Sequence, residues 1–389
     1  MKSDSLRQNS AMRDYYIGLM SGTSLDGTDG VLVDFQESKL RVVGHANEPF
    51  PPDFRAELLA LNSPAHNELH RAALAGNCLA GIYAKVVATL LKNAAAQGIS
   101  AAQIKAIGAH GQTVRHQPQK TSVEPVGTGY TLQLNNPALL CELTGIDVVA
   151  DFRSRDVAAG GQGAPLVPAF HQHVFGRTNS TVMVLNLGGI SNLSVLPANT
   201  EMAVLGFDCG PGNALMDAWC QQHTGQPFDA GGHWAATGKL ISPLLASLLD
   251  EPYFSTPPPK STGRDLFSLA WLAQKLRPFS HERPEDIQHT LTEFTASACI
   301  AAVNSYLKNS KELIVCGGGA FNSHLMGRLQ AGLPSLSVCT SDVHDLPPLQ
   351  VEAAAFAWLA RQTVNRKTGN LASVTGAAGA RILGAIYPA

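Results

Sequence analysis

Three times along the chain an apolar run breaks at a turn of small residues and then resumes. The first is Tyr16–Asp34, where apolar strands flank Ser21-Gly-Thr-Ser-Leu-Asp-Gly-Thr-Asp29. That is hairpin grammar with an unusual turn. Val182–Leu196 repeats the plan around Gly188-Gly189-Ile190-Ser191-Asn192. Leu313–Asn322 puts Gly317, Gly318 and Gly319 after a strand and before a helix expected at Ser323–Leu329. Gly18, Gly22 and Gly27 would let the backbone approach a ligand closely, and the surrounding amides and hydroxyls can form an anion-binding nest. Asp26 and Asp29 suit a phosphate only with magnesium or water between. An ordinary glycine-rich hairpin explains any one such turn. Three of them suggest a duplicated scaffold converging on one polyanionic ligand.

Between these turns the pattern alternates strand and helix. A strand is expected at Leu40–Asn47, then a helix near Asp53–Leu61. Glu68 to about Ala96 carries Leu69, Ala73, Leu79, Ile82 and Val86 at roughly helical spacing. Ile104–His116 reads as a strand that ends in a polar cluster, Thr131–Asn136 as a strand entering a helix at Pro137–Thr144, and Ile146–Phe152 as another strand. Val204–Asp208 reads as a strand running into Gly210-Pro211-Gly212, with a helix from about Asn213. Phe228–Thr262 reads as helices and a loop, Ile287–Leu307 and Val351–Ala360 as helices. The tail Val374–Pro388 is small, apolar and suited to folding back on the first domain.

Composition narrows the class. A chain of 389 residues suggests two domains. A net charge of −2 argues against a nucleic-acid or anionic-membrane surface. The seven scattered cysteines form no Cys-x-x-Cys pair and read as reduced thiols of a cytoplasmic protein. Residues Met1–Arg13 lack an apolar core and read as a disordered leader. No run of about 18 apolar residues suggests a membrane span.

Candidate chemistry gathers at strand ends, where open α/β sheets bind ligands. His110, Gln112 and Arg115 are candidate sugar or phosphate contacts, with a satisfied turn as the alternative. Arg153, Arg155 and Asp156 precede the loop Ala158–Pro168 and suit an anionic substrate, since arginine grips a carboxylate with two parallel bonds. An internal salt-bridge cluster is the alternative there. Asp208, before a helix N-terminus, is placed for a catalytic carboxylate, or for a simple cap. Lys260 and Arg264 could neutralise phosphate. His66 and His70, four apart, read as solvated residues at a helix start.

Taken together, Gly18–Asp29, Gly108–Thr113, Ala150–Pro165, Asn186–Asn192, Gly206–Asn213 and Cys316–Asn322 resemble, in order, the motifs of the 1,6-anhydro-N-acetylmuramic acid kinase family. That family lies within the sugar kinase, heat-shock ATPase and actin superfamily. The resemblance implies an α/β fold of two actin/hexokinase-like (ribonuclease H-like) domains with ATP in a central cleft. It implies domain I at 16–155 plus 368–389 and domain II at 156–367, after a leader at 1–15. Gly22, Thr23, Ser24, Leu25, Asp26, Gly27, Thr28 and Asp29, with Gly188 and Gly189, would hold the phosphates. Gly317, Gly318 and Gly319 would lie against the adenosine. Asp208 matches the family's base, and Arg155 a position close to the substrate, with Arg153, His110 and Gln112 as further substrate contacts. The reaction implied opens the 1,6-anhydro ring with water while O6 takes the γ-phosphoryl group, using ATP and Mg2+. The products would be N-acetylmuramate 6-phosphate and ADP, in peptidoglycan recycling. A homodimer is implied by the resemblance alone. The rival readings are a general sugar or polyol kinase and a non-catalytic ATP-dependent switch.

Overall fold

The computed structural model describes residues 13–22, 24–36, 40–118, 127–199, 202–263 and 266–389. The expected leader up to residue 12, Thr23 and Arg264 lie outside them. Strands β1 (Tyr15–Met20), β2 (Gly27–Asp34) and β3 (Arg41–Pro49) form an antiparallel meander. Helices α1 (Pro52–Ala60) and α2 (Glu68–Ala95) follow, then β4 (Ile104–Ala109), which pairs parallel with β1. The polar segment after β4 is itself a strand, β5 (Gln112–Gln117), paired with β6 (Tyr130–Leu134) in a separate ribbon. Helix α3 (Pro137–Thr144) is capped by Asn136, whose side chain accepts from the Leu139 amide, and ends at the left-handed Gly145. Strand β7 (Val148–Ala150) is shorter than the sequence suggests, because the chain turns at Asp151 (φ +60°) into helix α4 (Ser154–Ala158).

The second half repeats the order. After α5 (Val167–Phe175) come β8 (Thr181–Leu187), β9 (Ile190–Leu196) and β10 (Leu205–Pro211). An outer helical layer follows: α6 (Ala214–Thr224), α7 (Ser242–Leu249), α8 (Leu269–Leu276) and α9 (Pro284–Asn304). Then come β11 (Ser310–Cys316), α10 (Ser323–Gly332), the edge strand β12 (Ser337–Thr340), α11 (Val351–Val364), α12 (Ala372–Thr375) and β13 (Ala385–Tyr387). The first sheet runs β13-β7-β4-β1-β2-β3 and the second β12-β11-β8-β9-β10 when read in the same direction. Each is a three-strand antiparallel meander extended on one side by two parallel strands, with β13 added antiparallel at the edge of the first. This is the ribonuclease H-like order twice over, as expected.

Alternation of side chains across the strands builds three apolar layers. Ile17 and Leu19 of β1 face α1, α2 and α3; Met183, Leu185 and Leu187 of β8 face α6–α10. The opposite faces, with Tyr16 on β1 and Val182 and Val184 on β8, close over α5 and α11 in a core between the sheets. Helix α11, expected within the second domain, lies against β1, β2 and β4 of the first sheet. Its approach is set by glycine. A Cβ on Gly18 would stand 1.9 Å from the Ala353 carbonyl oxygen, and one on Gly108 2.1 Å from that of Phe356. Gly18 therefore admits a helix rather than a ligand.

Helix α2 is, among the described residues, long and apolar enough by composition to cross a membrane. Its Leu79, Tyr83, Val86 and Leu90 are nevertheless buried in the first core, and it packs on β2 and β3. Leu69, expected on that apolar face, is 88% exposed, because the buried stripe starts only six residues later, at Ala75. His66 and His70 are exposed. All seven cysteines are free thiols.

Candidate active site

The first turn is held from below by buried polar contacts. Ser21 Oγ donates to the Gly111 carbonyl (3.1 Å) and lies 3.1 Å from the Tyr83 hydroxyl, which accepts from the Gly111 amide. Gln112 Nε2 donates to the Gly22 carbonyl at 3.2 Å, and the His110 amide to the Leu19 carbonyl. The segment after β4 and the first turn are therefore one structural unit. Its upper side is less satisfied. Thr28 Oγ1, Gln112 Oε1 and His110 Nδ1 are buried atoms with no partner among the described residues. Such groups cost about 1–3 kcal/mol each unless something pairs with them. His110 Nε2 accepts from Arg153 Nε at 3.0 Å, and burial holds its pKa well below the ordinary value. The neutral ring thus carries its hydrogen on Nδ1, the unpartnered atom.

The glycines divide by what surrounds them. Added side chains on Gly22, Gly188, Gly189 and Gly318 would meet nothing closer than 3.5 Å, so their open faces can accept a ligand. Gly27 is different: its Cβ would stand 2.5 Å from the Glu48 carbonyl of β3. Gly317 (φ +80°) and Gly319 are likewise filled, by Asn186, Leu187 and Asn213. The second and third turns meet at Asn213, the residue preceding α6. Its amide donates to the Gly188 carbonyl at 2.8 Å, and its Nδ2 to the Leu187 carbonyl at 3.1 Å.

Sequence reasoning missed the residue that joins the two halves. Glu352, in the first turn of α11, accepts from Asn186 Nδ2 at 3.4 Å. Its burial raises its pKa, Arg153 opposes that, and Asp29 and Asp26 reinforce it. The first turn, the second turn and Arg153 therefore all act on one carboxylate. The signal available was a lone acid ahead of the apolar run Ala353–Ala360.

Arg153 and Arg155 have different fates. Arg153 is tied to His110 and, through NH1, to the Gly163 carbonyl at 2.7 Å; burial lowers its pKa to about 10. Arg155 is exposed and has no ion-pair partner among the described residues. Arg115 is engaged by Glu68 at 2.5 Å. Asp156 is fully buried and structural. It accepts from the Gly163 amide, Asn370 Nδ2 and Thr375 Oγ1 at 2.8, 2.6 and 2.7 Å, locking the glycine-rich loop to the tail.

Asp208 stands within β10 rather than at its end: the strand continues to Pro211 through a bulge between Asp208 and Gly210. A bulge re-aims side chains. Oδ2 accepts from the Thr262 amide at 2.9 Å, the Asp208 amide donates to the Lys260 carbonyl, and Tyr253 Oη donates to the Asp208 carbonyl at 2.8 Å. The segment Lys260–Thr262 is thereby fixed beside the carboxylate. Burial raises the Asp208 pKa to about 6, against the lowering effects of the Thr262 amide and Lys260. A group so tuned is ionised at neutral pH yet basic enough to take a proton. If it is the base, kcat/KM should fall about tenfold per pH unit below about 6. A profile flat down to pH 5 would remove Asp208 from that role.

The sequence profile of the family described as anhydro-N-acetylmuramic acid kinase matches residues 14–389. The chain belongs to that family. A relative from Albidiferax ferrireducens bearing that name is 65% identical, covering 97% of this chain and 100% of its own. One from Variovorax paradoxus is 64% identical over 97% and 99%, and one from Cupriavidus metallidurans 55% over 96% and 98%. Among solved structures, a ROK family glucokinase from Streptomyces griseus with glucose and AMPPNP aligns over 90% of this chain and 99% of its own. Its identity is 12% and the TM-score 0.39. The enzyme is a kinase that acts in carbohydrate metabolism.

Proposed function

We propose that this kinase couples hydrolytic opening of 1,6-anhydro-N-acetylmuramic acid to phosphorylation of O6 by ATP. The observation that carries the reading is Asp208, a bulge carboxylate held by Thr262 with its pKa raised to about 6. Asp208 takes a proton from water as the water oxygen bonds to C1. The C1–O6 bond breaks, O6 bonds to the γ-phosphorus, and the bond from that phosphorus to ADP breaks. Capture of O6 by phosphorus replaces the general acid of an inverting glycosidase, so one carboxylate suffices. The products are N-acetylmuramate 6-phosphate and ADP, placing the enzyme in peptidoglycan recycling in the cytoplasm.

In this reading the open faces of Gly22, Gly188 and Gly189, with Ser24, Thr28 and the amides near Leu25, cradle the phosphates, and Gly318 faces the nucleoside. Thr23 belongs to the same turn by sequence. Gly27, Gly317 and Gly319 hold the turns in shape by close packing. Asp26, Asp29 and Glu352 supply hard oxygens through which hydrated Mg2+ would be held, and the metal would neutralise phosphate charge. The buried unpartnered atoms of Thr28, His110 and Gln112 fit such polar ligands. The two lobes, 16–155 with 368–389 and 156–367, share α11 and close around the substrates, excluding water that would hydrolyse ATP. The net charge of −2 gives no reason to add nucleic acid or membrane as partners, and a homodimer follows only from the family.

Arg155 is free to grip the lactyl carboxylate, whereas Arg153 positions His110. Arg155→Ala should raise KM for the sugar about 10–100-fold, the worth of a charge-assisted bond, and leave KM for ATP nearly unchanged. Equal effects on both would end the carboxylate-clamp assignment. The function itself is tested by ADP release with different acceptors. Turnover with the anhydro sugar and none with N-acetylmuramate or glucose is expected. Preference for a reducing sugar would make the enzyme a general hydroxyl kinase.

A further inference from the structure

Away from the turns, three different metal-binding side chains converge on the outer edge of the second sheet. Glu312 lies on β11, Cys339 on the edge strand β12, and His344 in the single turn Ser341–His344 that follows. The strands run parallel, with Ile314 opposite Cys339, and side-chain alternation puts Glu312 on the same face as Ile314. Glu312 Oε1 is 3.1 Å from His344 Nε2 and 3.5 Å from Cys339 Sγ, and the three ligand atoms lie within 4.8 Å of one another. Among the described residues no other group of three such side chains is this close.

We propose that Glu312, Cys339 and His344 form a binding site for a zinc-like divalent cation. A tetrahedral centre with bonds of about 2.0–2.3 Å sets its ligand atoms about 3.3–3.8 Å apart, close to the spacing already present. One thiolate, one imidazole and one carboxylate are a borderline-soft set that favours zinc or cobalt over magnesium. The remaining carboxylate oxygen of Glu312 is held by Arg177 NH2 at 2.7 Å, an outer partner that fixes the ligand's orientation. The Phe175 and His344 rings pack in a T-shaped pair with centroids 5.9 Å apart, which restrains the imidazole too. All three ligands are partly exposed, so a cation can reach them. On binding, Cys339 gives its proton to solvent and coordinates as thiolate, while a water fills the fourth position.

The site stands apart from phosphoryl transfer. Glu312 is five residues before Gly317 in sequence, about 16 Å back along the strand direction. A cation there ties β12 and the following turn to β11 and stiffens the sheet edge. It does no chemistry on the substrates.

The test is cobalt titration of the full chain after chelator treatment. Wild type should take up one Co2+ with a near-ultraviolet thiolate-to-cobalt charge-transfer band, and added Zn2+ should abolish the band. Cys339→Ser should lose that band, and His344→Ala should weaken cobalt binding at least about tenfold, the lower end for lost coordination partners. Phosphoryl transfer with Mg-ATP should be unchanged in both variants. A wild type without the band, a Cys339→Ser protein that keeps it, or a His344→Ala protein with unaltered binding would overturn the assignment. His344→Ala decides the matter even if Cys339→Ser fails to fold.

Discussion

Asp208→Asn should lower kcat by at least about 10²–10⁴-fold and, at pH 8, raise the melting temperature. The two effects share one cause. Burial lifts the carboxyl from its ordinary 3.8 to about 6, so the folded protein holds this proton more tightly than the unfolded chain. Stability from that proton is present in full below about pH 3.8 and is lost as pH rises through about 6. Above pH 6 the ionised group therefore costs the fold on the order of 2–3 kcal/mol. Asparagine has no such cost, and its side-chain oxygen still accepts from the Thr262 amide. The variant should gain a few degrees at pH 8 and nothing near pH 4, measured by calorimetry at both, with ATP affinity nearly unchanged. Retained turnover would move the base elsewhere. Equal melting temperatures at pH 8 would mean that ionised Asp208 is not disfavoured in the fold.

Gly18→Ala should be severely damaging. The new Cβ would meet the Ala353 carbonyl oxygen at 1.9 Å and the Ala357 amide nitrogen at 2.6 Å. Both are backbone atoms of a buried helix and cannot swing aside. A loss of about 4 kcal/mol or more is expected, seen as insolubility or a collapse of the denaturant midpoint. Displacement of α11 would also carry Glu352 away from Asn186. Gly81→Ala is the matched control. It sits in α2 with nothing within 4 Å of the new atom and should gain about 0.5–1 kcal/mol. A soluble Gly18→Ala protein of near wild-type stability would mean that α11 packs loosely on β1.

What the sequence made legible is the part written locally. The three apolar–glycine–apolar segments gave the hairpins and the duplicated plan, because turn chemistry and strand alternation act over a few residues. Glu68–Ala95 was found as a helix for the same reason, although its start misled: Leu69 lies before the stripe that reaches the sheet. Features that depend on distant chain were not legible. Glu352 is more than three hundred residues from Asp26, and nothing near it in sequence ties it to the first turn. Gly18 looked like a ligand glycine, but its neighbour is a helix at the other end of the chain. The polar residues after β4 looked like the end of one strand, because their ribbon partner β6 lies further along the chain and local pattern does not show the pairing. Arg153 and Arg155, two apart, could be told apart only by burial: one is bound to His110 and Gly163, the other is exposed.

The most direct measurement runs the reaction with Mg-ATP and 1,6-anhydro-N-acetylmuramate in water enriched in heavy oxygen and weighs the sugar product. Water attack at C1 with capture of O6 predicts a phosphorylated sugar carrying one heavy oxygen at C1 and none in its phosphate. A phosphorylated sugar with its anhydro ring intact, or heavy oxygen in the phosphate, would contradict it.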